Sequence, residues 1–299
     1  MDSSRWLPAM RGIAAAHQLA TDAIRAAAGG SNLIAFAGDE HVIKLFPPIL
    51  RHQYESERLG LRELRRKLSV PTPEIVAEGA LDAWPYIVMT RVAGTPLGAI
   101  WETCAEAERC LLLRAIGALI AEVQAVPPGE MESLQPRWDE FIARQATQCA
   151  ERHAARALPR ALVDDIERYL ADTRDALPSH HLPVILTGEY TPENVLVARR
   201  DGRFCLSGLI DFGDAMVGFS EYDLLGPSVF SVGGNPQRLR ALLDGFGYHD
   251  RALERGLAQR LMRLMLLHRY SDLNAQVRID GWQDRVRDID ELERLLWPL

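Results

Sequence analysis

Two short apolar stretches near the start of the chain, separated by a turn signal, predict a β-hairpin. The first covers residues 32–37 and the second covers residues 41–46. Gly38-Asp39 between them is a common turn pair, and Pro47-Pro48 ends the second stretch because proline cannot donate a hydrogen bond to a sheet. We therefore expect a small sheet to begin here.

Apolar residues recur at helical spacing directly after the hairpin. Glu57, Leu61, Leu64 and Leu68 follow one another at intervals of three and four residues, and Val70-Pro-Thr-Pro73 ends the pattern. This spacing predicts one helix that carries Glu57 in register with the leucines.

Further strands complete the first part of the chain. Residues 75–78 and 86–91 are each predicted to be a strand. Residues 1–92 are therefore predicted to form a β-rich unit with one central helix. Ahead of the hairpin, Met1–Ala28 is rich in alanine and predicts another helix.

The remainder of the chain, residues 93–299, is predicted to be mainly helical with an island of strands. Thr103 and Glu106 match a capping box, which predicts the start of a long helix. Asn235 and Pro236 match a cap and first-turn proline and predict another start. The other predicted elements are helices over 162–170, 253–268 and 289–296 and strands over 183–186, 195–198 and 204–210.

Composition narrows the class of protein. The 299 residues contain 34 Lys and Arg against 41 Asp and Glu, a net charge of −7, so we expect no nucleic-acid partner and no anionic membrane partner. No stretch approaches the roughly 20 apolar residues of a membrane span. The four cysteines match neither a zinc site nor a disulfide framework and are predicted to be free. We expect a cytoplasmic monomer or weak dimer.

Lys44 is the first candidate for chemistry. It lies in the middle of a predicted strand and shares its face with apolar residues, so it needs a partner. The simpler interpretation is a surface lysine on an edge strand. The functional one pairs Lys44 with a carboxylate of the next helix and lets it reach nucleotide phosphates. Glu57 is in the best register for this, and Glu55 and Glu63 remain open.

Three more polar residues match the layout of a phosphoryl-transfer site. Glu189 and Asn194 lie five residues apart in a loop between two predicted strands, and Asp211-Phe-Gly follows one hairpin later. The hairpin is expected to bring Asn194 and Asp211 together. Phosphoryl transfer needs a carboxylate beside the attacking hydroxyl, together with an amide and a carboxylate that hold Mg²⁺ over the phosphates.

These residues, in this order, resemble the aminoglycoside phosphotransferase family. The resemblance implies an α+β, protein-kinase-like, two-lobed fold, with an N-terminal lobe over 1–92 and a helical lobe over 93–299. Several stretches resemble the hygromycin B phosphotransferase branch in particular. The motifs that carry the resemblance are His41-Val-Ile-Lys44, Val70-Pro-Thr-Pro73, Trp84–Gly94, Leu209–Gly218 and Tyr222-Asp223-Leu.

The resemblance implies that ATP binds between the lobes. Met89 would line the back of the adenine pocket, and the backbones of Thr90 and Val92 would bond the edge of the base. Lys44, fixed by Glu57, would hold the phosphates. The chain has no Walker-type Gly-Lys-Ser/Thr motif that would offer a different phosphate site.

The resemblance also implies the catalytic groups. Asn194 and Asp211 would bind Mg²⁺, and Glu189 would orient and deprotonate the acceptor hydroxyl. The acceptor is expected to be a small cationic molecule, with an aminoglycoside such as hygromycin B as the leading candidate.

The chain departs from the family pattern in its catalytic loop. The family usually has His-Gly-Asp where this chain has Thr187-Gly-Glu189, and Gln124 ends a helix where the family usually has a histidine. A kinase of an unidentified metabolite and a weakly active nucleotide-binding protein therefore stay open. Retention of Lys44, Asn194 and Asp211 argues against the weakly active protein.

Other polar residues receive simpler interpretations. Asp223 is expected to cap or brace the helix after the metal loop. His268 is expected to be a packed core or surface residue rather than a base, and His180-His181 a solvated turn. A final acidic cluster is expected to be a solvated face, with binding of a cationic substrate as the alternative; it comprises Asp284, Asp288, Asp290 and Glu291.

Overall fold

A computed structural model describes residues 3–27, 32–188, 190–249 and 255–299. Its strands are β1 (Ile24–Ala26), β2 (Leu33–Ala37), β3 (His41–Leu45), β4 (Ile75–Leu81), β5 (Trp84–Thr90), β6 (Thr95–Pro96), β7 (Val184–Leu186), β8 (Val195–Arg200), β9 (Arg203–Leu209) and β10 (Met216–Gly218). Its helices are α1 (Leu7–Ala16), α2 (Arg51–Leu64), α3 (Leu97–Ile100), α4 (Glu106–Gln124), α5 (Trp138–Ala155), α6 (Arg160–Asp172), α7 (Leu225–Pro227), α8 (Pro236–Phe246), α9 (Arg255–Leu266), α10 (Leu273–Gln276), α11 (Trp282–Arg285) and α12 (Ile289–Leu296).

The N-terminal part of the chain forms a five-stranded antiparallel sheet in the order β1-β2-β3-β5-β4. The predicted hairpin is confirmed as β2 and β3, and the two later strands are confirmed as β4 and β5. Lys44 lies in the central strand β3, opposite Ile34 on one side and Ile87 on the other. A surface lysine on an edge strand is therefore the wrong interpretation.

The alternation of side chains along β3 gives the sheet two different faces. Ile43 and Leu45 are fully buried in a cluster with Met10 and Ile13 of α1. Lys44 points to the opposite face, where α2 packs. The helix predicted from the leucine spacing is thus confirmed up to Leu64, and it covers the face of the sheet that carries the lysine. Its predicted extension through Leu68 is wrong, because the chain leaves the helix at Arg65 and Arg66 has a φ of 55°.

The helix predicted over Met1–Ala28 is wrong in its second half. Helix α1 ends at Ala16, Gln18 has a φ of 59°, and the chain turns back so that Ile24–Ala26 forms an edge strand. The alanines favour a helix locally, but pairing with β2 satisfies the backbone groups at the edge of the sheet. Tertiary pairing overrides the weak local propensity.

The helical part of the chain contains the predicted island of strands. Strands β8 and β9 form a hairpin, β6 pairs with β8, and β7 pairs with β10. The predicted helices over 162–170 and 289–296 are confirmed as α6 and α12, and the one over 253–268 is present over the described residues as α9.

The two predicted helix caps differ in outcome. Asn235 is confirmed, because its side chain accepts hydrogen bonds from the amides of Gln237 and Arg238. The capping box at Thr103 is wrong: the Thr103 hydroxyl donates to the carbonyl of Ile100, and α4 begins without a side-chain cap. The hydroxyl instead bonds a carbonyl at the end of the preceding short helix α3.

Helix α5 has no counterpart among the predicted helices. Its buried face includes Gln145 and His153 next to Phe141 and Cys149, so the periodicity of apolar residues is weak. None of the helices in the described ranges is both long and apolar enough to cross a bilayer. The four cysteines are free, as predicted.

Helices α4 and α8 cross at two glycines. A Cβ atom on Gly117 would overlap the carbonyl oxygen of Leu242, and a Cβ atom on Gly245 would overlap the carbonyl oxygen of Arg114. The backbones of the two helices are therefore in direct contact, and only glycine fits at the crossing.

We expect Gly117→Ala to lower the free energy of unfolding by about 1–3 kcal/mol, because the added methyl must push the two backbones apart. Gly12→Ala is the matched control, since Gly12 also lies inside a helix but has open space around it. That variant should be neutral or more stable by about 0.5–1 kcal/mol. Urea unfolding measures both, and equal effects would contradict the crossing.

Candidate active site

Three charged side chains from distant parts of the chain meet at the face of the sheet that α2 covers. Lys44 Nζ lies 2.7 Å from Glu57 Oε2 of α2 and 2.8 Å from Asp211 Oδ1, which follows β9. Lys44 and Glu57 are only 3% and 1% exposed, so both charges are removed from water. Of the three glutamates left open by the sequence, Glu57 is the partner of Lys44.

The pKa values of the three groups follow from burial and from this pairing. Burial lowers the pKa of Lys44, but the carboxylates of Asp211 and Glu57 outweigh burial and the net shift is upward. Burial raises the pKa of Glu57 to about 7, although Lys44 lowers it. Burial also acts to raise the pKa of Asp211, but Lys44 outweighs it and the net shift is downward. Lys44 and Asp211 are therefore charged at neutral pH.

The loop after β9 has a strained backbone that aims Asp211. Asp211 has a φ of 67°, in the left-handed region that non-glycine residues rarely adopt. The amide of Gly213 donates to Asp211 Oδ1, and the amide of Phe212 donates to Glu57 Oε2. Phe212 is fully buried beside Gly60 of α2. Helix α2 therefore contacts the loop twice, through the hydrogen bond from the Phe212 amide to Glu57 and through the packing of the Phe212 ring beside Gly60.

A cavity of about 310 Å³ opens beside these groups. Met89, Thr90 and Val92 line it, as does Asn194, so the predicted nucleotide and metal residues lie around one space. The Thr90 amide donates to the carbonyl of Glu74. The Thr90 amide is therefore not available to a ligand. Of the main-chain groups of Thr90, the carbonyl is left to bond a nucleotide base.

The predicted metal ligands lie at the two ends of one hairpin. The amide of Ile210 donates to the carbonyl of Asn194, which brings Asn194 and Asp211 to the same wall of the cavity. No group of three His, Cys, Asp or Glu side chains converges within the described ranges. One amide and one carboxylate fit a Mg²⁺ ion that takes its other oxygens from phosphate and water.

The predicted base, Glu189, lies outside the described residues. Asp223 fixes the backbone just before Glu189, because its carboxyl group accepts hydrogen bonds from the amides of Thr187 at 2.9 Å and Gly188 at 2.8 Å. The expectation that Asp223 braces the following helix is therefore wrong. A buried carboxyl group needs hydrogen-bond donors, and the two amides of the loop supply them.

Burial also sets the protonation of Asp223. The carboxyl is 2% exposed, and burial raises its pKa to about 7, although the amides of Thr187 and Gly188 lower it. The Tyr222-Asp223-Leu motif identified this residue in the sequence, but its contact with a loop 36 residues away could not be read from that motif.

A second cavity, of about 140 Å³, adjoins the same loop. Gly188 and Thr191, which flank Glu189 in the sequence, form part of its wall. Among its described lining residues none carries a carboxylate, and most are apolar or aromatic. The others are Leu225, Gly226, Val229, Phe230, Met265, His268, Tyr270 and Gln276.

His268 is a packed residue, as predicted. Its ring stacks on Tyr222 with a centroid distance of 4.8 Å. Burial and the nearby Arg269 lower the pKa of His268 to about 4, so it is neutral at pH 7.

The acidic cluster near the C-terminus serves structural contacts. Asp288 caps α12 by accepting from the amide of Glu291, Asp290 pairs with Arg168, and Glu291 pairs with Arg287. The interpretation as a surface face is therefore favoured over that of a substrate site.

Comparison with known proteins gives one family. The model of the phosphotransferase enzyme family matches residues 22–264, which is most of the chain. The matched segment contains Lys44, Glu57, Asn194 and Asp211. It also contains Gly188 and Thr191, which line the smaller cavity.

Solved structures share the fold. APH(2")-IIia in its GDP and kanamycin complex matches with a TM-score of 0.66 at 17% identity over 91% of each chain. APH(2")-IIa in a streptomycin and ATP ternary complex matches with a TM-score of 0.61 at 16% identity over 99% of this chain and 96% of that one. The macrolide 2'-phosphotransferase MphH from Brachybacterium faecium, an apoenzyme, matches with a TM-score of 0.60 at 23% identity over 88% and 90%. The predicted α+β, protein-kinase-like fold is confirmed.

The raised pKa of Asp223 predicts a pH effect on stability. Between about pH 4 and 7 the folded protein keeps the Asp223 proton that the unfolded chain has lost, so this contribution to stability falls as the pH rises through 7. We expect the stability advantage of the wild type over Asp223→Asn to shrink from pH 5 to pH 8. Urea unfolding at each pH measures it.

The matched control is Asp201→Asn, in the exposed turn between β8 and β9. Its difference from the wild type should stay constant over the same pH range. If the stability advantage of the wild type over Asp223→Asn grew with pH, the raised pKa of Asp223 would be contradicted.

Proposed function

We propose that this chain, which belongs to the phosphotransferase enzyme family, transfers the γ-phosphate of ATP to a hydroxyl group of a small molecule. The observation that carries the proposal is the buried Lys44 held between Glu57 and Asp211 at the wall of the larger cavity. A cation fixed in this way is a site for phosphate oxygens.

The larger cavity is the proposed nucleotide site. Met89 would back the base, while the carbonyl of Thr90 and the backbone of Val92 would bond its edge. Apolar side chains of the sheet, including Ile34 and Val42, line the cavity and suit a flat base. In this proposal the nucleotide-binding lobe spans 1–92 and the catalytic lobe 93–299, with the chain passing between them at the cavity wall.

The residues of this site fit Mg²⁺. Asp211 and Asn194 would hold it, and the ion would neutralise charge on the phosphates. Lys44 keeps the Asp211 carboxylate ionised, which such a ligand requires. Lys44 itself would bind phosphate oxygens and orient the transferred group.

Glu189 is the proposed base. Its carboxylate would accept the proton of the acceptor hydroxyl as the oxygen attacks the γ-phosphate. The rigid backbone that Asp223 holds at Thr187 and Gly188 would position it. Because glutamate is one methylene longer than the family's usual aspartate, the loop must place its backbone farther from the acceptor.

For the acceptor we propose an antibiotic with a free hydroxyl, and an aminoglycoside such as hygromycin B remains the first candidate. The net charge of −7 favours a cationic molecule. Two of the similar structures contain kanamycin or streptomycin.

The smaller cavity favours a second candidate. Its described lining is mainly apolar and lacks a carboxylate, which suits an acceptor with an apolar body better than a polycation. One of the similar structures is a macrolide 2'-phosphotransferase. A macrolide is therefore the alternative acceptor.

A mass-spectrometric screen tests this function. The protein with Mg²⁺ and ATP is incubated with hygromycin B, kanamycin, streptomycin and erythromycin, and the mass gain of one phosphate identifies the acceptor. We expect Asp211→Asn to abolish the mass gain. It should also remove the Mg²⁺-dependent rise in melting temperature that ATP causes; ATP at 100 times its Kd should raise the free energy of unfolding of the wild type by about 2.7 kcal/mol.

Asp201→Asn is the matched control, because both aspartates have a positive φ, 67° for Asp211 and 51° for Asp201, and asparagine tolerates this conformation. It should behave as the wild type. The kinase proposal fails if ATP with Mg²⁺ never raises the melting temperature. A metabolite acceptor becomes the better proposal if ATP binds and no antibiotic gains mass.

The role of Glu189 is tested by Glu189→Gln. Loss of the proton acceptor should lower kcat by about 10²–10⁴-fold, while the thermal shift caused by Mg²⁺ and ATP stays unchanged. Steady-state kinetics and melting curves measure the two effects.

Glu193→Gln is the comparison variant, because Glu193 is an exposed carboxylate on the same loop. It should retain activity. A Glu189→Gln enzyme with the parental rate would overturn the assignment and leave Glu193 and Asp214 as the bases to test. Glu189→Asp should lose activity if the loop is adapted to the longer side chain.

A further inference from the structure

Gln53 of α2 lies at the centre of a hydrogen-bond network that joins the two proposed binding sites. Its Oε1 accepts from Asn32 Nδ2 at 3.0 Å, at the start of β2. Its Nε2 donates to Asp214 Oδ1 at 3.3 Å and to the Tyr270 hydroxyl at 3.4 Å. Gln53 is 4% exposed, so these contacts replace water.

The contacts require an amide at position 53. The side chain accepts on one side and donates on the other, and Tyr270 in turn donates to Asp214 at 3.0 Å. Arg269 also pairs with Asp214, so the carboxylate is held from the helical part of the chain as well. A glutamate at 53 would face the Asp214 carboxylate, and a methionine would leave the polar groups without this partner.

The partners of Gln53 belong to three functional regions. Asn32 begins the strand that lines the larger cavity, Asp214 lies three residues after Asp211, and Tyr270 lines the smaller cavity. Gln53 and Glu57 are one helical turn apart on α2, so a shift at one moves the other. The amide of Gln53 therefore contacts elements that border both cavities.

We propose that Gln53 is a positioning residue that couples the nucleotide site to the acceptor site through Asp214 and Tyr270. The proposal rests on the proposed function, since it takes the larger cavity as the nucleotide site. The two bonds made by Nε2 lie at the long end of the hydrogen-bond range, so they can shorten when ligands draw the surrounding elements together. Binding at one site then favours the arrangement needed at the other, and the effect is reciprocal.

Hydrogen exchange with a non-hydrolysable ATP analogue and Mg²⁺ tests the coupling. In the wild type we expect the analogue to slow amide exchange around Met89–Val92, in the nucleotide site. We expect it also to slow amide exchange in the segment 267–277, which includes Tyr270 and lies outside the nucleotide site. In Gln53→Met the protection at 89–92 should remain and the protection at 267–277 should be lost. Tyr270→Phe removes only the hydroxyl that contacts Gln53 and Asp214, so it should show the same loss even if Gln53→Met folds poorly.

The control is Gln237→Met, an exposed glutamine of α8, which should keep both protections. Protection at 267–277 that persists in both Gln53→Met and Tyr270→Phe would overturn the coupling. Wild-type protection at 89–92 without any at 267–277 would overturn it as well. Absence of protection at 89–92 would instead refute the nucleotide site itself, and the coupling with it.

Discussion

The rest of the site depends on the burial of the Lys44 ammonium between two carboxylates. Removing a charge from water costs several kcal/mol, and the cost is recovered only when partners are close and well oriented. Glu57 and Asp211 meet this need from α2 and from the loop after β9. The lysine thereby fixes the sheet, the helix and the loop relative to one another, and removing Lys44 would leave both carboxyl groups without this cation.

The loops around this ion pair are held by buried polar contacts of a similar kind. Asp223 binds the backbone of Thr187 and Gly188, while Asp214 is surrounded by Gln53, Arg269 and Tyr270. Each carboxylate has lost its water and gained fixed donors, so a displacement that breaks these bonds would leave a buried polar group unsatisfied. In the proposed function, these contacts would supply the preorganisation that phosphoryl transfer needs, because the reaction depends on positioning and electrostatics.

The two cavities differ in chemistry although they flank one loop. The larger has a charged wall at Lys44 and Asp211 and an apolar remainder, which suits a nucleotide. The smaller has a mainly apolar described wall around Gly188 and Tyr270. The negative charge of the whole chain would draw a cationic acceptor from a distance, whereas the wall next to the loop would select the part of the acceptor that enters. Long-range attraction and local fit are thus separate contributions to substrate choice.

The sequence by itself predicted the β2–β3 hairpin, helix α2, the β8–β9 hairpin and the choice of Lys44, Asn194 and Asp211 as candidate site residues, because local periodicity and short motifs report local structure and chemical type. It did not determine the turn after α1, the start of α4 or helix α5, where a sheet edge, a competing carbonyl and buried polar residues outweigh local preference. Only the tertiary structure decided that Glu57 is the partner of Lys44, that Asp223 holds the loop before Glu189, and that Gln53 reaches Tyr270. These contacts join residues up to 217 positions apart. No local pattern encodes such a contact, since it depends on how the whole chain packs.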